Sequence, residues 1–373
     1  MKNKEKIVSV LGLGYIGLPT AALLASNGYL VKGMDNNKDV VNTINKGAIH
    51  IIEPGLDEVV QLTIANGSLR AFSEVQSGDI YIICVPTPFH RDSDLPLPNI
   101  DYVKEATESL LPHLKKDDMV ILESTSPVGT TEMINNILEE SGIDTSTISI
   151  AYCPERVLPG RIMVELLNND RVIGGINEES TRKVKDFYKT FVKGKILETD
   201  SKTAEMCKLT ENSFRDVNIA FANELSMLCN NNGVDVYELI QLANHHPRVN
   251  ILQPGTGVGG HCIAVDPWFI ISKDPERSRL MKVAREVNDI KPEWVVDKIK
   301  EKAELLETKR VACLGLSFKP NIDDLRESPS VRVVESLIRS GYEVYCVEPN
   351  IDKHETYNLI NVKEAIEDFD LVV

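Results

Sequence analysis

The sequence predicts an α/β fold with two Rossmann-like doubly wound domains joined by a long central helix. Short apolar runs alternate with helical stretches, which is typical of parallel sheets covered by helices. A glycine-rich turn follows the first apolar run, and the stretch from Ser201 to about Asn231 has a helical pattern without proline or glycine. We expect a first Rossmann domain at 1–200, a central helical region at 201–305 and a second Rossmann-like domain at 306–373.

The first predicted domain opens with a strand, a turn, a helix and a second strand, at 6–11, 12–17, 18–27 and 30–34. Further short apolar runs predict strands at 79–85, 119–123, 148–152 and 170–173. Strands that alternate with helices in this way favour a parallel sheet with helices on both faces.

The C-terminal part repeats this plan with a helix at about 277–306, a strand at 310–315, a helix at 328–340 and a strand at 343–347. It lacks the glycine pattern of the first domain, because Gly315-Leu316-Ser317-Phe318-Lys319-Pro320 stands where that pattern would be. Residues 369–373 read as a buried strand, so we expect the second domain to be incomplete at Val373.

Composition narrows the class of function. The formal charge of −15 argues against nucleic acid or an anionic membrane as a partner. The seven cysteines are scattered without a CxxC pair, and the seven histidines lack metal-ligand spacing, so we expect a cytoplasmic protein without a metal site. No run of 18 apolar residues predicts a membrane span.

The turn Gly12-Leu13-Gly14-Tyr15-Ile16-Gly17 predicts a dinucleotide site. Gly12 permits the tight turn, Gly14 lets the backbone approach a pyrophosphate, and Gly17 lets helix and strand pack closely. Asp35 ends the next predicted strand, where an acid binds ribose hydroxyls and repels a 2′-phosphate. This favours NAD over NADP, although Lys38 is close enough to weaken the preference.

A second glycine-rich loop, residues 255–268, contains Cys262 followed four residues later by Asp266. A buried structural cysteine is the usual alternative, but this loop is too polar and glycine-dense to form a core. A thiolate that attacks an aldehyde forms a thiohemiacetal, which can lose a second hydride to become a thioester. The two loops together indicate oxidation of an alcohol to an acid, since oxidation to a carbonyl alone needs no covalent nucleophile.

Three further residues have chemistry that suits this reaction. Lys208 and Asn212 are four apart on the predicted central helix, so both project from one face and could stabilise an oxyanion. Glu155 could activate water to cleave a thioester. The alternatives are a solvated helical pair for Lys208 and Asn212, and a surface ion pair with Arg156 for Glu155.

Several basic and polar residues could contact substrate phosphates. Arg248 and Asn250 precede the cysteine loop, and Lys319 and Arg326 lie in the C-terminal half. A solvated charge is the alternative for each of them.

Taken together, these residues resemble the UDP-sugar 6-dehydrogenase family, also called the UDP-glucose/GDP-mannose dehydrogenase family, over the whole chain. The most specific segments are 204–216, 246–251 and 259–267, and segments 152–160 and 318–328 also match. The similarity is greatest to the branch that acts on UDP-N-acetylmannosamine.

The resemblance implies that Cys262 holds the aldehyde, that Lys208 and Asn212 bind the C6 oxygen, and that Glu155 activates the water. Asp266 would assist the base chemistry, and Thr125 would hold a catalytic water. The implied NAD contacts are Gly12, Gly14, Tyr15, Ile16, Gly17, Asp35, Lys38, Pro86, Thr87, Thr125 and Lys319. The implied substrate contacts are Glu155, Arg156, Val157, Lys208, Asn212, Arg215, Arg248, Asn250, Gly259 and Arg326.

The resemblance also bears on the sugar and on assembly. Glucose-specific relatives carry a lysine where this chain has Val265, which favours a UDP-N-acetylhexosamine substrate. UDP-N-acetylglucosamine and UDP-glucose stay open as alternative substrates. A non-catalytic nucleotide-binding protein or a two-electron hydroxyacid dehydrogenase is a third possibility, disfavoured by the joint presence of Cys262, Lys208, Asn212 and Glu155. Family members dimerise through the long central helix, so we expect a homodimer in which Arg248 reaches the partner's site.

Overall fold

The computed structural model describes residues 6–90, 95–260, 262–319 and 322–373. The chain forms two compact units, Met1–Leu209 and Thr210–Val373, whose boundary falls inside one long helix.

The first unit contains a large sheet and its covering helices. In chain order the elements are β1 (Ile7–Leu11), α1 (Gly17–Ser26), β2 (Leu30–Met34), α2 (Lys38–Asn45), α3 (Leu56–Ala65), β3 (Leu69–Phe72), β4 (Ile80–Ile83), β5 (Phe89–His90), β6 (Leu97–Pro98), α4 (Asp101–Leu110), β7 (Met119–Leu122), α5 (Thr130–Glu140), β8 (Ser149–Tyr152), α6 (Ile162–Asn168), β9 (Arg171–Gly175), α7 (Glu178–Tyr188), β10 (Ile196–Asp200) and α8 (Ser201–Asn232).

Eight of these strands form one sheet in the order β10-β9-β8-β7-β4-β1-β2-β3. The predicted doubly wound architecture is confirmed, with one difference in direction. β9 runs antiparallel to β8, with Ala151 opposite Gly175 and Tyr152 opposite Gly174. The apolar pattern of a buried strand has no direction, so the sequence could not reveal this reversal.

The core lies on both faces of the sheet because successive side chains of a strand point to opposite faces. On β4, Ile80 and Ile82 belong to one buried cluster, whereas Tyr81 and Ile83 belong to the other. Helices α1 and α7 contribute to the first cluster, and α4 and α5 contribute to the second. This is the burial expected of a sheet covered by helices on both sides.

Helix α8 spans 32 residues and closely matches the predicted central helix. Its first turns are anchored to the first unit by the fully buried carboxylate of Glu205. That carboxylate accepts hydrogen bonds from the backbone nitrogens of Gly129 and Thr131 and from the Thr131 hydroxyl, at 2.6–2.7 Å. Glu205 thereby satisfies amide groups at the start of α5 that the helix itself leaves without partners.

The second unit combines the rest of α8 with α9 (Val236–Ala243), α10 (Asp266–Lys273), α11 (Arg279–Leu305), β11 (Arg310–Leu314), α12 (Pro329–Arg339), β12 (Glu343–Val347), β13 (Asn358–Leu359) and α13 (Val362–Asp368). Its sheet has the parallel order β11-β12-β13. The backbone of 371–373 lies along β11, where Ala312 and Val372 form a parallel bridge. None of the described helices is both long enough and apolar enough to cross a membrane.

Candidate active site

The glycine turn after β1 is close-packed at two positions and open at the third. Gly12 has φ +89°, and a Cβ atom there would lie 2.7 Å from the Cys84 carbonyl oxygen. A Cβ atom at Gly17 would lie 1.8 Å from the Gly12 carbonyl oxygen. A Cβ atom at Gly14, in contrast, would meet nothing within 4 Å. The open space beside Gly14 is what a bound pyrophosphate requires.

The N-terminus of α1 also suits a phosphate. Ile16 is the N-cap residue and supplies no side-chain hydrogen bond to the first turn. Amide groups in the first turn of a helix lack intrahelical partners and bind anions well. Tyr15 and Ile16, both predicted NAD contacts, are half-buried in this turn, and Tyr15 packs against the core.

Asp35, just after β2, is fixed beside the same turn. Its Oδ2 accepts a hydrogen bond from the Leu13 backbone nitrogen at 3.0 Å, and its Oδ1 accepts one from Asn37 at 2.9 Å. Lys38, at the start of α2, is exposed. These residues fit NAD: the carboxylate stands at the end of the second strand, where the ribose of a dinucleotide lies.

The strand order places further predicted residues at the same edge. β1 lies between β2 and β4, so the chain direction along the sheet reverses there, and ligands of such sheets bind at the carboxyl ends beside this reversal. Pro86 and Thr87 follow β4, and Thr125 follows β7. The Thr87 hydroxyl donates to the Thr125 carbonyl oxygen at 2.7 Å, which ties the two loops together.

Glu155 is buried and not the surface residue of the alternative interpretation. Only 7% of it is exposed, and its Oε2 lies 2.7 Å from Nη1 of Arg171, with which it forms an ion pair. Its Oε1 accepts from the Arg156 backbone nitrogen at 2.6 Å. The Arg156 guanidinium donates to the Asp170 carbonyl oxygen at 3.3 Å, and Val157 packs against the core.

Sequence reasoning missed the buried polar cluster around this ion pair. Glu123, which follows β7, accepts from the Tyr188 hydroxyl at 2.5 Å and from the Cys84 thiol at 3.4 Å. Burial raises the pKa of Glu123, and the Arg171 guanidinium opposes that rise. The available signal was a charged residue adjoining an apolar run, since glutamate and arginine are rarely buried without a partner.

In the second unit, the loop before Cys262 is built on glycines that admit close neighbours. Gly260 has φ +81°, and a Cβ atom there would lie 2.6 Å from the Phe318 ring. A Cβ atom at Gly259, a predicted substrate contact, would lie 2.6 Å from Pro329 Cδ and 2.7 Å from the Glu327 carbonyl oxygen. The cysteine loop therefore packs against the segment between β11 and α12.

Cys262 begins the turn that leads into α10. Its carbonyl oxygen accepts from the backbone nitrogens of Val265 and Asp266, at 3.0 and 2.8 Å. The residue is exposed, and none of the seven cysteines, all within the described ranges, forms a disulfide. A thiol near a helix N-terminus is in a favourable field for its anion.

Lys319, a predicted NAD contact, is half-buried near this cysteine. Burial lowers the pKa of Lys319, the nearby Cys262 raises it, and the Arg215 guanidinium lowers it. Arg215 itself is exposed on α8. In the second unit, Lys319 therefore lies close enough to both Cys262 and Arg215 to interact with each of them electrostatically.

Asn212 and Asp266 form a buried pair. The amide of Asn212 donates to Oδ2 of Asp266 at 2.5 Å, with 9% and 2% of the two residues exposed. Lys208 lies one helical turn before Asn212 on α8 and is half-buried. The Asp266 carboxylate thus orients the Asn212 amide. Lys208 and Asn212 lie four residues apart on one continuous helix, as the sequence predicted.

A buried polar seam continues along α8 and was not predicted. Asp216 pairs with Arg285 at 2.6 Å and accepts from the Asn288 amide at 2.8 Å. Asn223 donates to Asn288 at 2.9 Å and accepts from the Gly255 backbone nitrogen at 2.8 Å. The seam thereby attaches the start of the cysteine loop to α8 and α11.

The remaining predicted phosphate contacts lie at the surface of the second unit. Arg248 and Asn250 are exposed, in a segment bounded by paired hydrogen bonds between Asn244 and Ile251. Arg326 is held by Asp324 through Nε at 2.9 Å and Nη2 at 2.7 Å. A phosphate at Arg326 would therefore compete with a carboxylate.

Comparison with known proteins agrees with this geometry. Sequence models of the UDP-glucose/GDP-mannose dehydrogenase family match three successive segments: its NAD binding domain at 6–192, its central domain at 202–290 and its UDP binding domain at 312–373.

Individual relatives cover nearly the whole chain. A UDP-N-acetyl-D-mannosamine dehydrogenase from Yersinia pestis is 52% identical over 98% of this chain and 92% of its own length. An NDP-N-acetyl-D-galactosaminuronic acid dehydrogenase from Ralstonia solanacearum is 50% identical over 99% and 90%. The solved structure of a UDP-N-acetyl-mannosamine dehydrogenase from S. aureus has a TM-score of 0.91 at 42% identity, over 98% of this chain and 88% of that one.

The family resemblance drawn from the sequence is thus confirmed, as is NAD as the cofactor. This chain belongs to the UDP-glucose/GDP-mannose dehydrogenase family and is an NAD-dependent UDP-sugar dehydrogenase.

Proposed function

We propose that the protein oxidises the C6 alcohol of UDP-N-acetyl-D-mannosamine to the carboxylate, giving UDP-N-acetylmannosaminuronate for a surface polysaccharide. The observation that carries the four-electron outcome is Cys262. Among the seven cysteines, all described, it alone is exposed, and it begins the turn into α10. A reaction that stopped at the aldehyde would leave this thiol without a task.

We propose that the turn of Gly12, Gly14 and Gly17 and the carboxylate of Asp35 would hold NAD, with Tyr15, Ile16, Lys38, Pro86, Thr87 and Lys319 as further contacts. When bound, NAD accepts one hydride in each of the two oxidations that convert an alcohol to an acid. The overall balance is one alcohol, two NAD⁺ and one water giving one carboxylate, two NADH and three protons.

Between the two oxidations, Cys262 retains the substrate. Its sulfur adds to the aldehyde carbon, forming a carbon–sulfur bond, and the carbonyl oxygen becomes the hydroxyl of a thiohemiacetal. We propose that Lys208 and Asn212 stabilise the negative charge on that oxygen, with Asp266 orienting Asn212 through their 2.5 Å hydrogen bond.

Hydrolysis then releases the acid. Water attacks the thioester carbon, the carbon–sulfur bond breaks, and the thiolate returns to Cys262. We propose that Glu155 accepts a proton from the attacking water and that Thr125 holds a catalytic water. For substrate binding we propose Arg156, Val157, Arg215, Arg248, Asn250, Gly259 and Arg326, in addition to Glu155, Lys208 and Asn212.

The choice of an N-acetylated sugar rests on two observations. Val265, the N-cap residue of α10, has an apolar side chain, whereas the family resemblance implies a lysine at this position in glucose-specific relatives. The relatives from Y. pestis and R. solanacearum are both named for N-acetylated sugars. The alternatives are UDP-N-acetylglucosamine and UDP-glucose.

The test of substrate is the kcat/KM for each of the three nucleotide sugars, with analysis of the final product. We expect the highest value for UDP-N-acetylmannosamine, and the acid as product. Cys262→Ser should stop before the acid, and complete acid formation by that variant would contradict the covalent route. A higher kcat/KM for UDP-glucose would contradict the assigned sugar.

We also propose a homodimer formed through α8. Phe214, Phe221 and Leu228 are 68%, 54% and 55% exposed, and their spacing of seven residues puts them on one stripe of the helix. Exposed apolar stripes of this kind mark protein interfaces. Light scattering should give twice the monomer mass, and the double variant Phe214→Asp/Phe221→Asp should be monomeric; an unchanged mass in that variant would exclude this interface.

The cellular location we propose is the cytoplasm. A reducing compartment keeps an exposed nucleophilic thiol such as Cys262 available. Cell fractionation with antibody detection tests this proposal.

A further inference from the structure

The ion pair between Glu155 and Arg171 raises the question of what the arginine does. Arg171 is the first residue of β9 and only 2% exposed. Its Nη1 donates to Glu155 at 2.7 Å and its Nη2 donates to the Leu166 carbonyl oxygen at 3.3 Å. Its Nε has no hydrogen-bond partner.

A contribution to the stability of the fold does not by itself explain why a buried arginine stands at this position. A buried N–H group without a partner has a free-energy cost, and buried ion pairs can often be replaced by apolar residues without loss of stability. The arginine must therefore be explained by what it does to its partner.

Both carboxylate oxygens of Glu155 accept a hydrogen bond from the protein. Oε2 is bound by Arg171 at the start of β9, and Oε1 by the Arg156 backbone nitrogen in the loop after β8. β8 and β9 are neighbouring strands of the sheet. Each carboxylate oxygen has a second lone pair, so the carboxylate can still accept a hydrogen bond from water.

The other titratable groups packed around the pair favour their neutral forms. They are Glu123 after β7, Cys84 after β4, Cys153 after β8 and Tyr188 on α7, and burial raises the pKa of each. The Arg171 guanidinium also lies 5.7 Å from the centre of the Tyr188 ring. Arg171 is therefore the buried cation of this cluster, and it faces Glu155.

We propose that Arg171 is a positioning residue for thioester hydrolysis: it places a fixed cation against Glu155 and holds the carboxylate in the orientation in which it meets the attacking water. This inference rests on the proposed function, specifically on the role of Glu155. A base that must be ionised loses activity when it is protonated, and an adjacent cation extends its working range to lower pH.

The test separates hydrolysis from the two oxidations. The full-length protein, with NAD and whichever UDP-sugar gives the highest kcat/KM, is followed by stopped flow from about pH 5.5 to 9. The burst of NADH reports formation of the thioester, and the steady-state rate reports its hydrolysis when that step is slow. The variants are Arg171→Met, Arg171→Lys and Glu155→Gln.

For Arg171→Met we expect the burst to persist while hydrolysis slows at least about 10-fold at neutral pH, with its acid limb moved up by about one pH unit or more. Arg171→Lys, which retains a cation, should show a smaller shift in the same direction, and it provides the test if Arg171→Met does not fold. Leu166→Ala is the matched control, because it truncates a buried side chain at the residue whose carbonyl oxygen contacts Arg171, and it leaves the charges in place. It should lower the melting temperature without moving the acid limb.

An acid limb that stays in place in both Arg171 variants would overturn the inference, even if their hydrolysis were slower at every pH. Normal hydrolysis by Glu155→Gln would remove the role of Glu155 and this inference with it, while leaving the four-electron function intact. A single NADH per sugar in the wild-type protein would instead overturn the proposed function itself.

Discussion

The segments from β1 to β2 and from β11 to β12 each consist of a strand, a turn, a helix and a second strand. They are built alike and differ in the length of the turn. In the first, Gly12 follows β1, and its nitrogen donates to the Met34 carbonyl oxygen at the end of β2 at 2.8 Å. In the second, Gly315 follows β11, and its nitrogen donates to the Val347 carbonyl oxygen at the end of β12, also at 2.8 Å. Both glycines have positive φ, +89° and +96°.

The carboxylate after the second strand also corresponds. Asp35 accepts from the Leu13 backbone nitrogen at 3.0 Å, and Glu348 accepts from the nitrogens of Leu316 and Ser317 at 2.9 Å each. Burial raises the pKa of Glu348, but these hydrogen bonds and those from Asn350 together lower it more, so its pKa lies below the ordinary value. Each acid thus stabilises the turn that precedes its helix.

The difference lies in where the helix begins. Helix α1 begins at Gly17, which leaves a short turn with open space beside Gly14. Helix α12 begins only at Pro329, and the longer turn supplies Phe318 and Glu327, which the cysteine loop packs against. The same backbone plan therefore leaves open space beside Gly14 in the first unit, where we propose that phosphate binds, and supports the cysteine loop in the second.

The largest expected effect is in the short turn. In Gly17→Ala the new Cβ atom would lie 1.8 Å from a backbone oxygen, which cannot move aside. We expect a loss of about 3 kcal/mol or more in the free energy of unfolding and an increase of about 100-fold in the Kd for NAD. Calorimetry measures both quantities.

Gly14→Ala is the matched control for that variant. Its Cβ atom would meet nothing within 4 Å, so the melting temperature should change by less than about 2 °C, while NAD binding still weakens. Equal melting temperatures for the two variants would contradict the packing described for Gly17.

The next largest effect is in the cysteine loop. Gly260→Ala combines a positive φ with contact of the new Cβ atom at 2.6 Å from the Phe318 ring. We expect a cost of about 2–4 kcal/mol and slower alkylation of Cys262 by iodoacetamide. Gly315→Ala, whose Cβ atom meets nothing within 4 Å at a similar φ, separates strain from crowding. If Cys262 is alkylated equally slowly in both variants, the contact of residue 260 with Phe318 does not control the reactivity of the cysteine.

A smaller effect is expected in the polar seam. Asn223→Ala leaves the Gly255 nitrogen and the Asn288 side chain without this partner, at a cost of about 1–3 kcal/mol. Asn45→Ala in the first unit removes a similar pair of hydrogen bonds to Ala71. Urea unfolding should show comparable losses, and only Asn223→Ala should lower kcat. A fall in kcat of the same size in Asn45→Ala would mean that the seam has no special link to the cysteine loop.

The last expected effect appears only when the pH is changed, and it concerns one buried carboxyl group in each unit. Burial raises the pKa of Asp216 to about 6, against the effect of Arg285, and burial raises the pKa of Asp118 to about 6 as well. The folded protein binds these protons more tightly than the unfolded chain does. The free energy of unfolding should therefore fall as the pH is raised from about 4 to about 6. Asp216→Asn and Asp118→Asn should each flatten the fall by at most about 3 kcal/mol, the free energy that corresponds to a shift of about two pKa units. An unchanged slope in both variants would contradict the burial of these carboxyls.

Patterns along the chain predicted the glycine turn, the long helices α8 and α11 and many of the strands, but not α2, α3 or β3. The strands at 30–34 and 343–347 match the prediction, because apolar periodicity reflects local burial. The direction of β9 could not be predicted, since pairing depends on the path of the chain between strands.

The site was only partly predictable for the same reason. Cys262 could be proposed as a site residue from its loop alone, but the partner of Glu155 could not be predicted, because Arg171 lies sixteen positions away on another strand. The contact of Gly260 with Phe318 likewise joins segments that are distant in sequence. Contacts between residues that are distant in sequence produce no local pattern. At most, the sequence shows an unusual residue at such a place, such as a charged residue beside an apolar run.

The central claim is that Cys262 carries the substrate from aldehyde to acid, and counting NADH tests it most directly. With limiting UDP-N-acetylmannosamine and excess NAD, the wild-type protein should form two NADH for each sugar consumed, and Cys262→Ser should form fewer than two and no acid. One NADH per sugar in the wild-type protein, or two with acid release in Cys262→Ser, would contradict the account.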